Sequence, residues 1–492
     1  MDIILAGYNI DYETIKEIKS SLTDSENLTP ETISAAYARI SRNPLPVNEL
    51  RKIARKEVDK ARRSNRAIVF EMGHNSVAEH AVFNIDVIGV SRLIVEEIEK
   101  FRLCSFTEKS QRYIRLKDDF VIPQEVQSAG MRDIFVEMIR EQDSLYHELY
   151  HRLRQYIFET NQEMASDPAN RLLLEGWAKE DARYIVSLAT EAQLGMTVNA
   201  RNLELMLRRS AAHSLKEVNE YGENLYRAIS GVAPSLIRYT EANDFDRLTR
   251  TDLKSEISAI IKKTTSGTAD AACVMGSDEK VVLIDVTPDG DDSIIAALVH
   301  SSTDLPMDRC RSLVAKMFIT RKEDIVRTAF RHSECYYPPL REFEYADLTF
   351  EVTVSASCFA QLKRHRLATL TCQDYDPNLG VTIPPAVKAT GMKDRFMETV
   401  RKTEDVFRKI RAVSPGAAPY ILTNAHRKRV AIKLNVRELY HISRLREDQS
   451  AQWDIRETVA RMVKLGRDVL PMTLMMACGK DCFESLRSKM AD

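Results

Sequence analysis

The strongest constraint on the fold is a near-repetition. Residues 433–457 read KLNVRELYHISRLREDQSAQWDIRE, and the stretch ending at Val218 reads TVNARNLELMLRRSAAHSLKEV. Asn435 and Arg437 align with Asn199 and Arg201, and Arg446 aligns with Arg209 once one residue is deleted from the earlier stretch. A period of roughly 240 residues makes the chain two diverged copies of one unit, each large enough to bury its own core. The 492 residues are too many for one ordinary core, which agrees with two domains. Glu241 to Lys254, EANDFDRLTRTDLK, is charged and poor in aromatics and reads as a linker, giving domains at 1–245 and 246–492.

Within each copy the periodicity predicts strands and helices. Ile3 to Leu5 is a short strand ended by Gly7. Thr29-Pro30-Glu31 opens a helix, with a Thr cap and Pro in the first turn. Asn48 to Arg63 is charged enough for an exposed helix. Phe83, Ile85 and Val87 alternate with Asn84 and Asp86, the pattern of a half-buried strand. Residues 131–165 read as helix, and a further helix starts near Asn202. After the linker, Val281 to Val286 is an apolar strand before a turn, and Leu348 to Ala356 alternates over its whole length. The interval from Arg102 to Asn199 is longer than that from Arg366 to Asn435, and the excess is assigned to the long helix near 131–165.

Composition excludes several classes. Hydrophobic content of 44% and charged content of 29% are globular values. Lys+Arg 71 against Asp+Glu 72 leaves a net charge of -1, which argues against nucleic-acid binding through bulk electrostatics. The eight cysteines form no Cys-x-x-Cys and no zinc spacing with His, so no metal site is expected. Scattered thiols in a long chain read as reduced and cytoplasmic. MDIILAGYNIDYE has no basic n-region, and no apolar run approaches about 18 residues, so neither a signal peptide nor a membrane span is expected.

The chemistry concentrates between Ser91 and Tyr113, SRLIVEEIEKFRLCSFTEKSQRY. Ile94, Ile98 and Phe101 recur at helical spacing among Glu96, Glu97, Glu99 and Lys100. From Ser105 on, the run offers hydroxyls, Glu108, Gln111 and Arg112, a set suited to a ligand with a phosphate and several hydrogen-bonding edges. By composition alone the same run also reads as a solvated loop.

Upstream lies GHNSVAEHAVFNIDVIGVSR, residues 73–92. The whole of 73–113 resembles the flavin-dependent thymidylate synthases, the ThyX family, through His74, Ser76, Glu79, His80, Ser91, Arg92, Arg102, Ser105, Ser110, Arg112 and Tyr113. It departs at Lys100-Phe101-Arg102, where the family shows Arg-His-Arg; the intact triplet stands in the second copy as Arg364-His365-Arg366. The resemblance implies an α+β fold, two tandem ThyX-like domains each with a central, mostly antiparallel sheet and flanking helices. It implies FAD as cofactor, NADPH as reductant, methylenetetrahydrofolate as carbon donor and dUMP or a related pyrimidine nucleotide as substrate. It assigns Glu97, Glu108, Ser110, Gln111, Arg112, Arg183, Arg209 and Arg446 to the nucleotide. His74, Ser110 and Arg209 stand at catalytic positions. Ser76, Glu79, Arg102, Asn199, Arg201, Arg364, His365, Arg366, Asn435 and Arg437 go to the flavin. Without the resemblance, His74 reads equally as a turn cap, and Arg183 or Arg209 as surface charges.

The second copy keeps Arg364, His365, Arg366, Asn435, Arg437 and Arg446 but loses the nucleotide signature. Thr369, Cys372, Asp374 and Asp376 stand where the signature residues are expected, and two aspartates repel a phosphate. Pro339 and Arg341 replace the His and Ser, Glu344 keeps the Glu, and Ala418-Pro419-Tyr420 lies near the place of Asp181-Ala182-Arg183. Family members are homotetramers with sites built between subunits, so the complementary losses imply composite sites, half of the ancestral number, and a homodimer of chains as a pseudo-tetramer. Three functions follow: a thymidylate-forming flavoenzyme, a flavoenzyme for another pyrimidine nucleotide, or a non-catalytic flavin- or nucleotide-binding paralogue.

Overall fold

A computed structural model of the chain describes residues 1–11, 14–15, 18, 29–39, 45–71, 74–111, 119–265 and 279–491. The first half begins with β1 (Asp2–Tyr8), which continues past Gly7; that glycine sits at a register shift in the pairing rather than at the strand's end. Helix α1 (Glu31–Arg39) follows Thr29, whose Oγ1 accepts the Glu31 amide at 3.3 Å. The charged stretch from Asn48 is two helices, α2 (Val47–Lys56) and α3 (Val58–Arg66), broken at Glu57. It is not simply exposed. Leu50, Ala54, Val58 and Ala61 form a buried stripe that long charged side chains mask in the sequence.

Next come β2 (Val82–Ser91), α4 (Arg92–Ile98) and β3 (Cys104–Glu108). The run from Ser105, legible as a loop, begins as a strand at the sheet's edge. Its side chains alternate in exposure, but they are too polar to show it by hydropathy. Helices α5 (Arg132–Thr160) and α6 (Arg171–Ala182) follow. β4 (Glu191–Asn199) was hidden inside the stretch expected to lead into a helix at about Asn202; Ala192, Leu194, Met196 and Val198 point inward, and α7 (Ala200–Ala211) starts directly after it. Helix α8 (Lys216–Ile229) packs on α7 at a close crossing, where a Cβ on Gly222 would lie 2.7 Å from Ser210 Cβ. The expected linker is also corrected: most of it lies in α9 (Asp244–Thr265), whose charged residues are ordinary helix formers.

The second half repeats the plan. It contains β5 (Val281–Val286), α10 (Gly290–Ser301), α11 (Met307–Val314), α12 (Ile319–Phe330), β6 (Asp347–Ser355), α13 (Ala356–Leu362), β7 (Thr369–Cys372) and α14 (Lys393–Val413). It closes with β8 (Arg427–Asn435), α15 (Val436–Arg446), α16 (Trp453–Val469) and α17 (Phe483–Ala491). Helix α14 is the counterpart of α5. The excess length of the first copy is therefore not the long helix as such but its extra turns and α6.

The two sheets have the same topology, β1-β2-β4-β3 and β5-β6-β8-β7, antiparallel throughout. These are two tandem α+β domains, each with a four-stranded sheet and flanking helices. Equivalent registers recur: Val82 faces Asn199, and Asp347 faces Asn435. In each, the alternate strand residues that face the helices make the core, Phe83, Ile85 and Val87 in one and Leu348, Phe350, Val352 and Val354 in the other.

Packing divides the chain into two compact units that are not the two halves. Unit 1 comprises 1–148, 186–271 and 395–422; unit 2 comprises 149–185, 272–394 and 423–492. Each unit thus holds one sheet together with a segment donated by the opposite half of the sequence.

Candidate functional site

In unit 1 the site begins where β2 turns into α4. Ser91 caps the helix, its Oγ accepting the Ile94 amide at 3.2 Å and donating to Glu217 Oε2 at 2.8 Å. The Tyr420 hydroxyl donates to the same Glu217 oxygen at 2.7 Å. Burial pushes the Glu217 carboxyl above its usual range, while these donors pull it back. From this anchor α4 presents Glu97, which accepts from Lys100 Nζ at 2.5 Å and lies 3.7 Å from His213 Nε2. Burial lowers the His213 pKa and Glu97 opposes that shift. The Arg209 guanidinium lies over the Phe101 ring at 5.8 Å.

Glu97, Phe101, Arg209 and His213 therefore come together, and His213 is a residue that sequence reasoning missed. Glu108 is occupied by a buried ion pair with Arg92 at 2.9 Å, so its carboxylate is held by a neighbour. Ser110 is half-buried and Gln111 buried, with the Lys109 amide tied to Gln193 O at 2.9 Å; Arg112 and Tyr113 lie outside the described residues.

A second group gathers at the start of α7. Asn199 is that helix's cap, its Oδ1 accepting the Asn202 amide at 3.0 Å, which is a structural task whatever else it does. Arg201 pairs with Glu79 at 2.5 Å. His74 and Ser76 are exposed at the start of the short helical turn Asn75–His80, and His74 makes no side-chain cap. Arg102 is exposed after α4.

Unit 2 reproduces this framework with other residues. Ser355 caps α13, accepting the Cys358 amide at 3.0 Å, and donates to Asp454 Oδ2 at 2.6 Å; the Tyr184 hydroxyl donates to that oxygen at 3.1 Å. Asn435 caps α15, accepting the Glu438 amide at 2.8 Å. Arg437 pairs with Glu344 at 3.2 Å and donates to Pro339 O at 2.8 Å, the counterpart of Arg201 with Glu79. Arg446 Nε donates to His365 Nε2 at 3.0 Å, where unit 1 has Arg209 over Phe101. This geometry supports the one-residue deletion in the alignment of the two arginines.

His365 faces inward, 3% exposed, with Nδ1 at 3.9 Å from Glu438 Oε1. Burial and the Arg446 charge hold its pKa well below the usual value, and burial pushes Glu438 up to about 7. Arg364 and Arg366 on either side are exposed. Arg183 is buried in unit 2, not in unit 1 with Ser110 and Arg209. The paired Ser–carboxylate–Tyr clusters escaped the sequence reading. Their signal was present as the aligned pairs Ser91/Ser355, Glu217/Asp454 and Tyr184/Tyr420.

The model of the Thymidylate synthase complementing protein family, Thy1, matches residues 22–235 and 282–472, one match in each half of the sequence. The chain belongs to the Thy1 family. A UPF0159 protein of Chlamydia muridarum is 24% identical over 83% of this chain and 79% of its own length. A UPF0159 protein of Thermoplasma acidophilum is 22% identical over 82% of the chain and 86% of its own. A flavin-dependent thymidylate synthase of Clostridium tetani is 29% identical over 43% of the chain and 82% of its own. A solved Helicobacter pylori ThyX, described as complexed with FAD and dUMP, covers 49% of the chain at 17% identity with a TM-score of 0.32, too low for its geometry to be transferred. Among the described residues of this Thy1 chain no helix is long and apolar enough to cross a membrane.

Proposed function

We propose that the chain is an FAD-dependent, thymidylate synthase-like enzyme that reductively methylates dUMP to dTMP, with methylenetetrahydrofolate as carbon donor and NADPH as reductant. The observation that carries this reading is the grouping of Glu97, Phe101, Arg209 and His213 in unit 1, within a stretch matched by the Thy1 model. Arg209, with Arg112 beyond the described residues, would hold the nucleotide and stabilise negative charge developing on the pyrimidine carbonyls. His74 and Ser110 are further candidates for contact at the reacting centre.

For FAD, the exposed Arg364 and Arg366 flanking a buried, hydrogen-bonded His365 suit the charge of a diphosphate. In unit 1 the exposed Arg102 is a separate candidate for the flavin, while Arg201 and Arg437 are held by Glu79 and Glu344. Bound FAD would supply the hydride, and the protein would bind, orient and exclude water. We further infer a cytoplasmic homodimer whose two copies per chain arose by tandem duplication.

A second reading has its own support. The UPF0159 relatives align over more than four fifths of the chain, whereas the Clostridium tetani thymidylate synthase aligns over 43% of it. The names of those UPF0159 relatives carry no thymidylate activity, and we infer as the second reading a flavoenzyme acting on another pyrimidine nucleotide. Titration of the purified protein with dUMP, read by flavin absorbance, tests the first reading, and complementation of a thymidine-requiring bacterium separates the two. A yellow protein that responds to dUMP and complements supports thymidylate formation. A yellow protein indifferent to dUMP supports the second, and a colourless protein that refuses FAD defeats both. Light scattering after size exclusion tests the dimer, and a monomer would refute it.

A further inference from the structure

The turn carrying Arg183 is held by three consecutive side chains from the other half of the sequence, all within unit 2. Gln452 Nε2 donates to the Tyr184 hydroxyl at 2.6 Å. Trp453 Nε1 donates to Asp181 Oδ1 at 2.8 Å, and its ring stacks on Tyr184 at 5.6 Å and 20°. Asp454 accepts from the Tyr184 hydroxyl. The backbone is pinned as well: Asn424 Nδ2 donates to Arg183 O at 3.0 Å, and the Ala425 amide donates to Tyr184 O at 2.9 Å. Residues on both sides of Arg183 are thereby fixed, which restricts where its side chain can reach.

The chain supplies its own control. In unit 1 the corresponding turn reads Ala417-Ala418-Pro419-Tyr420, so alanine replaces Asp181 and proline replaces Arg183. The segment facing it reads Leu215-Lys216-Glu217 where unit 2 has Gln452-Trp453-Asp454. The tyrosine–carboxylate bond survives there, Tyr420 to Glu217 at 2.7 Å. Both members of the tryptophan–aspartate bond, and the glutamine, are absent together with the arginine. The tyrosine–carboxylate bond is common to both units, and the tryptophan–aspartate and glutamine contacts occur only where the arginine does.

We propose that Gln452, Trp453 and Asp181 are positioning residues for Arg183, presenting its guanidinium to the phosphate of a pyrimidine nucleotide. This gives the second copy, which has lost its own nucleotide signature, a task in nucleotide binding. The inference rests on the nucleotide reading above. The Asp181 carboxyl agrees with it: burial pushes it up to about 7, while the Trp453 N–H and the Arg183 charge draw it down, so it is already coupled to both.

The test is dUMP titration of the flavin-loaded full chain. Trp453→Phe keeps the ring on Tyr184 and removes the N–H. Asp181→Ala installs the residue that Ala417 supplies at the equivalent turn, and its thermal unfolding midpoint is measured alongside to check the fold. Each is expected to weaken dUMP roughly tenfold, the scale of one hydrogen bond to a charged group, with flavin content unchanged. In an Arg183→Ala background the same substitutions are expected to have no further effect, which a merely structural role would not produce. Wild-type affinity in Trp453→Phe and Asp181→Ala, or an equal loss with Arg183 already removed, overturns the inference alone. A wild-type protein that binds no dUMP overturns the nucleotide reading and this inference with it.

Discussion

Glu438 sits in an environment unlike that of an ordinary glutamate. It is 3% exposed, and burial lifts its carboxyl from 4.5 to about 7. A raised acid favours the folded state while protonated, so this contribution is complete below about pH 4.5 and is lost as pH rises through 7. Glu438→Gln is expected to flatten the stability profile between pH 5 and 8 and to raise stability at pH 8 by about 1–3 kcal/mol. Urea unfolding at both pH values measures this, and an unchanged slope would refute it. Ser355 makes the opposite case, a small residue with two tasks. Ser355→Ala removes a helix cap and strips a buried carboxylate of one donor, for an expected loss of about 1–3 kcal/mol. Thermal unfolding would show it, and a midpoint equal to wild type would mean that Tyr184 suffices for Asp454.

At the scale of elements, the strand-to-helix turns do most to place chemistry. Each copy uses a Ser cap where its second strand ends and an Asn cap where its fourth ends, so the helix that follows leaves the sheet in a fixed direction. The α7–α8 crossing sets where Arg209 and His213 lie, and it closes only because Gly222 meets Ser210. Gly222→Ala is expected to destabilise by about 1–3 kcal/mol, since the new Cβ would stand 2.7 Å from Ser210 Cβ. Adding Ser210→Gly should recover most of that loss in denaturant unfolding; no recovery would mean that the crossing is not what the glycine serves.

At the scale of the molecule, the exchange of segments makes the halves interdependent. Unit 1 includes 395–422, where Gln142 Nε2 bonds Thr403 at 2.8 Å and Lys402 meets Glu141 at 2.9 Å. Unit 2 includes 149–185 with Tyr184 and Trp453. Residues 1–245 and 246–492 expressed separately are therefore expected to be insoluble or loosely folded, and to yield a soluble complex when co-expressed. Two halves that each melt cooperatively alone would refute that.

The sequence by itself determined the repeat, the Thy1 resemblance and every strand with clean alternation, because periodic burial leaves a periodic pattern. It did not reveal β3 or β4. The first is too polar to alternate visibly, and the second runs unbroken into a helix. It marked Arg183, Arg209 and His365 through the resemblance, yet only the tertiary structure decided that His365 is buried against Arg446, that Glu108 is held by Arg92, and that Arg183 is anchored by the other half of the chain. Those outcomes depend on contacts between residues 16 to 272 positions apart, and such contacts have no period to read.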